Sequence, residues 1–507
     1  MSANSKRRNG SAVRPTSSTE PLAPPPMSPS SVQAMAPPPS YDEVMGHTFM
    51  TPIRPDQQDL PVLSYIDIMP RCLNPGNIPM KLAPEFDKFS ALLDGANQWL
   101  QTNTDMRVWK CETVERKVEK GPDGPFIPMD KMTKHDSMFG FNVWVKGIRL
   151  WLTKKLEPNL PVQQLGLLNF TPEPLEIPMS AISIPLGGFA TYSPGVVFSH
   201  DYLLGRPFGT FSINTYACLQ DTIKTINEKL KDSPIQGTIL NVETTFMKVC
   251  EGFKRKSDLD PEKTCWTEDK SDMRKYTQII RVFFLKGKSV NEELEMTTFT
   301  PDIVSPPRYP NIPPKFETMP FLVDKVARWI VTQQGTKILN IQSQDVRMHT
   351  TFLTDEVEIE HDSTDQIEST LATKNWIKVI RVFHTKAPNV PPLQYLTSRL
   401  FVPLRIGVRT FETMSQTMYR INAWLNITGL VPCNVETVKY LFNEGNFQGV
   451  RTERTDYREE MMSGKIWVFA IRLYFNRMFD EPNPFLLPPT MDWKTQGGGE
   501  SSCCALL

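Results

Sequence analysis

Four arginines recur behind an isoleucine in apolar stretches, at Ile148-Arg149, Ile280-Arg281, Ile380-Arg381 and Ile471-Arg472. Each sits among apolar neighbours: Val145 and Trp151, Ile279 and Phe283, Val379 and Phe383, Ala470 and Tyr474. A guanidinium in such company needs a partner or a water-filled groove, because an unpaired buried charge is costly. Glu112, Glu243 and Glu436 precede three of the arginines by 37, 38 and 36 residues, a spacing suited to a cross-strand ion pair. The third copy has Gln342, 39 residues ahead of Arg381, so this arginine needs another acid, for which Asp345 is the candidate. The second chemistry open to the same side chains is an anion-binding groove for a lipid headgroup or phosphate, since the guanidinium fork suits either role.

The two ends carry different chemistry. The chain closes on Cys503-Cys504-Ala505-Leu506-Leu507, after a spacer at Gly497-Gly498-Gly499. A thiol on an accessible tail, followed by small and aliphatic residues, is what prenyl transfer requires, and Leu507 is the choice that selects geranylgeranyl. Each buried CH₂ then adds about 0.8 kcal/mol of membrane affinity, and one chain alone is marginal. Cys503 is placed to supply the second lipid. Near the other end, Pro38, Pro39 and Tyr41 form a PPxY motif. Its prolines pre-set a polyproline II ligand, which WW domains dock in aromatic-lined grooves. A second PPxY, Pro306, Pro307 and Tyr309, lies in a proline-rich connector and reads as a weaker ligand.

Catalytic constellations are thin. The six histidines fall in no HExxH pattern, and no GxSxG or phosphate-binding loop is present. His361-Asp362 in an acidic loop reads as loop polarity rather than a metal site. Cys265 lies in a charged loop without a dedicated base. No enzyme, no cofactor beyond the covalent lipid and no metal is expected.

The elements that hold these residues repeat. Apolar residues step by 3 and 4 at Phe86, Phe89, Leu93, Ala96 and Leu100, and again at Tyr216, Leu219, Ile223, Ile226 and Leu230. They do so a third time at Phe316, Met319, Val323, Val326 and Ile330, and a fourth at Phe411, Met414, Met418, Ile421 and Leu425. That spacing puts them on one face of a helix. After each stripe come Cys111-Glu112-Thr113, Val242-Glu243-Thr244, Ile341-Gln342-Ser343 or Val435-Glu436-Thr437, then a polar loop, then the Ile-Arg strand. Four matches in one frame argue for an internal repeat. The expected fold class is α+β: four diverged α-β-β repeats, each a helix on a long hairpin whose polar tip (258–275, 355–374 and 443–463 in the later copies) is solvated and mobile. The boundaries read as a Pro/Ser-rich disordered tail over 1–60, repeats over 61–160, 161–290, 291–390 and 391–480, and a flexible tail over 481–507.

Of 507 residues 40% are apolar and 22% charged, with net charge zero, which argues against general attraction to nucleic acid or anionic membrane. Eight cysteines without CxxC spacing indicate reduced thiols, and no apolar run is long enough for a membrane span.

The tail motifs resemble two groups of proteins. The PPxY in a proline-rich amino-terminal tail is similar to the late domains of matrix and Gag-type proteins of enveloped viruses. The last four residues resemble the CaaX box of prenylated peripheral membrane proteins. The resemblance implies a lipid-anchored scaffold on a cytosolic membrane face, or in a virion matrix, that recruits WW-domain proteins such as HECT-type ubiquitin ligases and with them membrane-scission machinery. Its partners would be those proteins, membrane lipids and further copies of itself. A cellular membrane adaptor for ubiquitin-directed trafficking or signalling is the alternative, and an enzyme of unknown class the third. Prenylation in place of a basic patch or myristate departs from the viral pattern.

Overall fold

The computed structural model describes residues 63–488, apart from 78–81, 122–123, 137–141, 158, 178–212, 250–258, 269–273, 290–291, 308–312, 351–356, 369–373, 388–389, 391–392, 408–409, 445–446 and 461–464. All described residues belong to one compact unit. Each copy of the repeat runs outer strand, helix, inner strand, short strand, middle strand. Copy 1 is β1 (Ser64–Ile68), α1 (Phe89–Thr102), β2 (Met106–Lys117), β3 (Thr133–Asp136) and β4 (Asn142–Lys154). Copy 2 is β5 (Leu165–Phe170), α2 (Leu219–Asp232), β6 (Gly237–Lys248), β7 (Cys265–Glu268) and β8 (Arg274–Lys286). Copy 3 is β9 (Leu294–Phe299), α3 (Met319–Thr332), β10 (Thr336–Thr350), β11 (Asp365–Glu368) and β12 (Lys374–Lys386). Copy 4 is β13 (Thr397–Phe401), α4 (Met414–Thr428), β14 (Pro432–Leu441), β15 (Asp456–Glu459) and β16 (Lys465–Phe475).

The body is mainly β, with four α-helices among the described residues, and not the expected set of α-β-β units. In each sheet the middle strand pairs the inner strand along one edge, and its own outer strand along half of the other. The remaining half is filled by the short strand of the next copy. Thus β7 pairs β4, β11 pairs β8, β15 pairs β12, and β3 of copy 1 pairs β16 of copy 4. The inner strands touch in the order β2, β6, β10, β14 and back to β2. Four sheets therefore stand as blades in a propeller-like ring, and each blade is completed by its neighbour. The hairpin tips expected to be solvated are where these donated strands lie. They are four residues long and polar, and backbone ladders rather than an apolar period hold them.

The helices begin three residues later than the stripes imply. Phe86 and Phe316 fall in short strands before their helices, Tyr216 ends another, and Phe411 forms a single bridge. What starts the helices is the next copy. The first helical N–H groups, of Phe89, Leu219, Met319 and Met414, donate to the carbonyls of Glu262, Asp362, Glu453 and Asp130. Side chains add to this: Ser90 N donates to Glu262 Oε2 (2.9 Å), Gln220 N to Asp362 Oδ1 (3.1 Å) and Ser415 N to Asp130 Oδ1 (3.0 Å). Carboxylates satisfy otherwise orphaned donors and complement the dipole at these ends.

Each helix buries its apolar face on its own sheet, and the next copy's aromatic, two residues past the recurrent arginine, plugs the same core. Phe283 packs with Phe89, Leu92 and Leu100, and Phe383 with Leu219, Ile226 and Leu230. Tyr474 packs with Leu322, Val326 and Ile330, and Trp151 with Met414, Ile421 and Leu425. All four aromatics are 0% exposed. Each such side chain contributes roughly 1.5–3 kcal/mol by burial, so every junction between copies is itself a hydrophobic core.

Candidate functional site

The inner edge of β2, β6, β10 and β14 faces the axis of the ring, and among the described residues no strand pairs with it except at the far end of β10, where Met348–Thr350 meets Val357–Ile359. Unpaired backbone groups there would be costly. Side chains of the following copy take them up in a recurring pattern. Thr437 N and Oγ1 donate to the two oxygens of Glu112, at 3.0 and 2.5 Å. Thr113 N donates to Glu243 (3.0 Å) and its hydroxyl donates to the same carboxylate. Thr244 N and Oγ1 donate to Gln342 Oε1, at 3.0 and 3.1 Å, and Ser343 N and Oγ donate to Glu436, at 2.5 and 2.8 Å. Each hydroxyl then accepts from the recurrent arginine of the same following copy. Arg149 Nη1 reaches Thr437 (3.0 Å), Arg281 reaches Thr113 (2.9 Å), Arg381 reaches Thr244 (2.8 Å) and Arg472 reaches Ser343 (2.8 Å). Four acid or amide groups, four hydroxyls and four guanidiniums close a circle around the axis.

A second tier lies two residues earlier. Each inner strand bulges at one position, Trp109, Leu240, Leu339 or Cys433, and the bulge re-aims the residue that follows. Asn241 Nδ2 donates to Cys111 O (2.5 Å), Asn340 to Val242 O (2.8 Å) and Asn434 to Ile341 O (2.9 Å). Copy 1 carries Lys110 instead. Its ammonium donates to Leu240 O (3.4 Å) and to Leu339 O, across the axis, and burial lowers its pKa to about 8.

The arginines stand opposite the acids in the ladder, Glu112↔Arg149, Glu243↔Arg281, Gln342↔Arg381 and Glu436↔Arg472. Direct contact is another matter. Arg472 meets Glu436 at 3.2 Å, while Arg149 is 3.8 Å from Glu112 and holds Asp67 instead, at 2.6 and 2.8 Å. Asp67 also takes Arg116 at 3.1 Å. Burial raises the Asp67 pKa, but Arg149 beside it outweighs that and the carboxyl ends below its ordinary range. Arg281 rests on Asn169 Oδ1 (2.8 Å), Pro261 O (3.0 Å) and the ring of Phe89 (3.5 Å to centroid). Arg381 rests on Gln278 Oε1 (2.5 Å) and His361 O (3.0 Å), and its Nε is buried without a hydrogen bond. Among the described residues neither has a carboxylate within ion-pair distance. Burial accordingly lowers Arg281 to about 10 and Arg381 to about 9. Asp345 instead pairs Lys378 at 2.6 Å. All four guanidiniums are 0–2% exposed, and their fork is occupied from within the body.

The hydroxyls Thr113, Thr244, Ser343 and Thr437 are the residues that spacing arguments left without a role, although each directly follows the aligned acid. Asp67 and the capping residues Asp130, Glu262 and Asp362 carry no such signal, because only the folded ring brings them to their partners. Cys265 lies in β7 against Val118, Val143 and Val145, and burial pushes its thiol up to about 12, which disfavours the thiolate. Asp362 is a helix cap, and no group of three or more His, Cys, Asp or Glu among the described residues could hold a metal ion. No described helix is long and apolar enough to cross a membrane. Pro38, Pro39, Tyr41, Tyr309, Cys503 and Cys504 lie outside the described residues, whereas Pro306 and Pro307 follow the strand Ile303–Ser305. Comparisons with protein-family models, curated proteins and solved structures find no match to this chain.

Proposed function

We propose that the protein is a non-catalytic, lipid-anchored scaffold of matrix or assembly type, recruiting WW-domain proteins such as HECT-type ubiquitin ligases to a cytosolic membrane face. The observation that carries this reading is the pair of tail motifs, Pro38-Pro39-Ser40-Tyr41 and Cys504-Ala505-Leu506-Leu507, on either side of a self-closed body. The body supports it in one respect: the donors of its axis are engaged largely by side chains and carbonyls of the body itself, as suits a rigid core rather than a ligand site. Geranylgeranyl on Cys504, with a second lipid on Cys503, would give the two-signal anchoring that a neutral surface needs.

The test is made in cells with the full chain. Intact-mass spectrometry should find Cys504 prenylated, and Cys504→Ser should move the protein from the membrane pellet to the soluble fraction. Pulldown by WW domains should be lost with Tyr41→Ala. An unmodified terminus with unchanged pelleting would overturn the anchor, and equal binding by Tyr41→Ala would overturn the recruiting role. Shedding of membrane particles on expression alone separates a budding matrix from a cellular adaptor.

A further inference from the structure

Beyond the two tail motifs, we infer a third docking element: Asn483-Pro484-Phe485, a preformed turn that offers one aromatic ring to the pocket of a small protein domain. The inference depends on neither lipidation nor the PPxY.

After β16 the chain is pinned at two places. On one side, Phe479 packs edge-on against Trp424 (5.3 Å between centroids) and Phe475 (5.5 Å), while Glu481 accepts from Trp424 Nε1 (3.1 Å) and pairs with Arg399. On the other, Leu487 packs on the core under α4. Between these anchors Asn483 Oδ1 accepts from Phe485 N (3.1 Å), Asn483 O from Leu486 N (2.9 Å) and Pro484 O from Leu487 N (3.1 Å). Pro484 fixes its own φ, so the turn has little conformational freedom left to lose on binding.

Phe485 is 96% exposed and Leu486 63%, the former the most exposed large apolar side chain among the described residues. A lone exposed apolar residue is ordinary on a mobile loop. Here the loop is tied down at both ends and its own backbone bonds turn the ring outward, which makes Phe485 a rigid aromatic anchor of the kind that dominates binding energy. The asparagine amide beside it is the polar group that would give such a pocket its selectivity. The exposed carboxylate of Asp480 stands just before the turn, where Glu481 already neutralises Arg399, and disfavours an anionic lipid surface as the occupant. The partner that fits is a protein domain with an apolar pocket for one ring and donors or acceptors for the asparagine. The EH class of helical domains, which receive Asn-Pro-Phe turns, is the probe.

The experiment titrates full-length protein carrying Cys504→Ser, to remove any lipid, against an immobilised EH domain, with phosphatidylcholine and phosphatidylserine vesicles as a second arm. Saturable binding is expected, weakened at least about tenfold by Phe485→Ala and by Asn483→Ala. Both residues are exposed, so neither substitution touches the core, and a circular dichroism melt verifies that. Absence of domain binding overturns the inference. So does binding that survives Asn483→Ala, and so does an effect of Phe485→Ala on vesicle pelleting alone, which would make the ring a membrane contact.

Discussion

The seam where copy 1 closes on copy 4 and the seam between copies 2 and 3 use the same parts with different charge. At the closing seam Glu112 and Arg149 grip Thr437, and Asp67 backs the arginine. Asp130 takes Ser415 N, Ser415 Oγ (2.9 Å) and the Tyr65 hydroxyl (3.2 Å), Met132 enters the core of copy 4, and Trp467 Nε1 donates to Asp136 (3.0 Å). At the internal seam Gln342 replaces the acid, and Arg381 sits on neutral acceptors alone. Copies 2 and 3 are neighbours along the chain, so little loop entropy opposes their meeting. Copies 1 and 4 must be brought together from the far ends of the body. The contrast lies in the groups that face the axis, charged at the closing seam and amide at the internal one; nearer the rim the internal seam has its own charge, where Asp365 pairs Lys275 (3.5 Å) and accepts from Tyr216 N (3.0 Å) and Thr277 Oγ1 (3.0 Å).

Four substitutions break or sharpen this contrast. Asp67→Ala leaves Arg149 and Arg116 buried without their carboxylate, and should cost about 3–5 kcal/mol in denaturant unfolding. A loss under about 1 kcal/mol would show that the closing seam does not rely on charge. Next, Asp130→Ala removes a cap that also ties Tyr65, and should cost about 2 kcal/mol. Asp362→Ala, at the internal seam, removes a cap on Gln220 N and a weak bond to the Cys218 thiol but ties no second element, and should cost about half of that. Equal losses would erase the asymmetry. The smallest effect is at Lys110, whose pKa falls from 10.5 to about 8 on folding because burial disfavours the ammonium. Between those values the unfolded chain holds more protons, so the residue opposes folding at and below about pH 8 and the penalty lifts as pH rises towards 10.5. Lys110→Asn, the residue of the other copies, should raise the melting point near neutrality by about 2 °C and flatten the rise with pH.

Much of the frame was legible. The stripes marked the helices, and constant spacing placed each arginine opposite its acid or amide, because both features follow the period of a single element. What spacing could not carry is exchange between copies. The strands Thr133–Asp136, Cys265–Glu268, Asp365–Glu368 and Asp456–Glu459 are short and carry no apolar period of their own, so their pairing has no pattern to announce it. Nothing in four such residues says whose sheet they complete. The same holds for the hydroxyl circle: an acid followed by Thr or Ser was visible in every copy, but its partner lies one copy away. The turn at Asn483 was hidden in a proline-rich stretch, and only the exposure of Phe485 separates it from a spacer.

The lending of strands has a consequence for synthesis. On a ribosome the first blade has no finished edge until Cys265–Glu268 has emerged, and the fourth cannot be completed without a segment made over three hundred residues before. No shorter nascent product is a whole object, unlike a truncated open solenoid, which still stacks its remaining units. A premature stop anywhere ahead of Phe475 therefore leaves raw sheet edges facing solvent, and quality control would meet the chain as all or nothing.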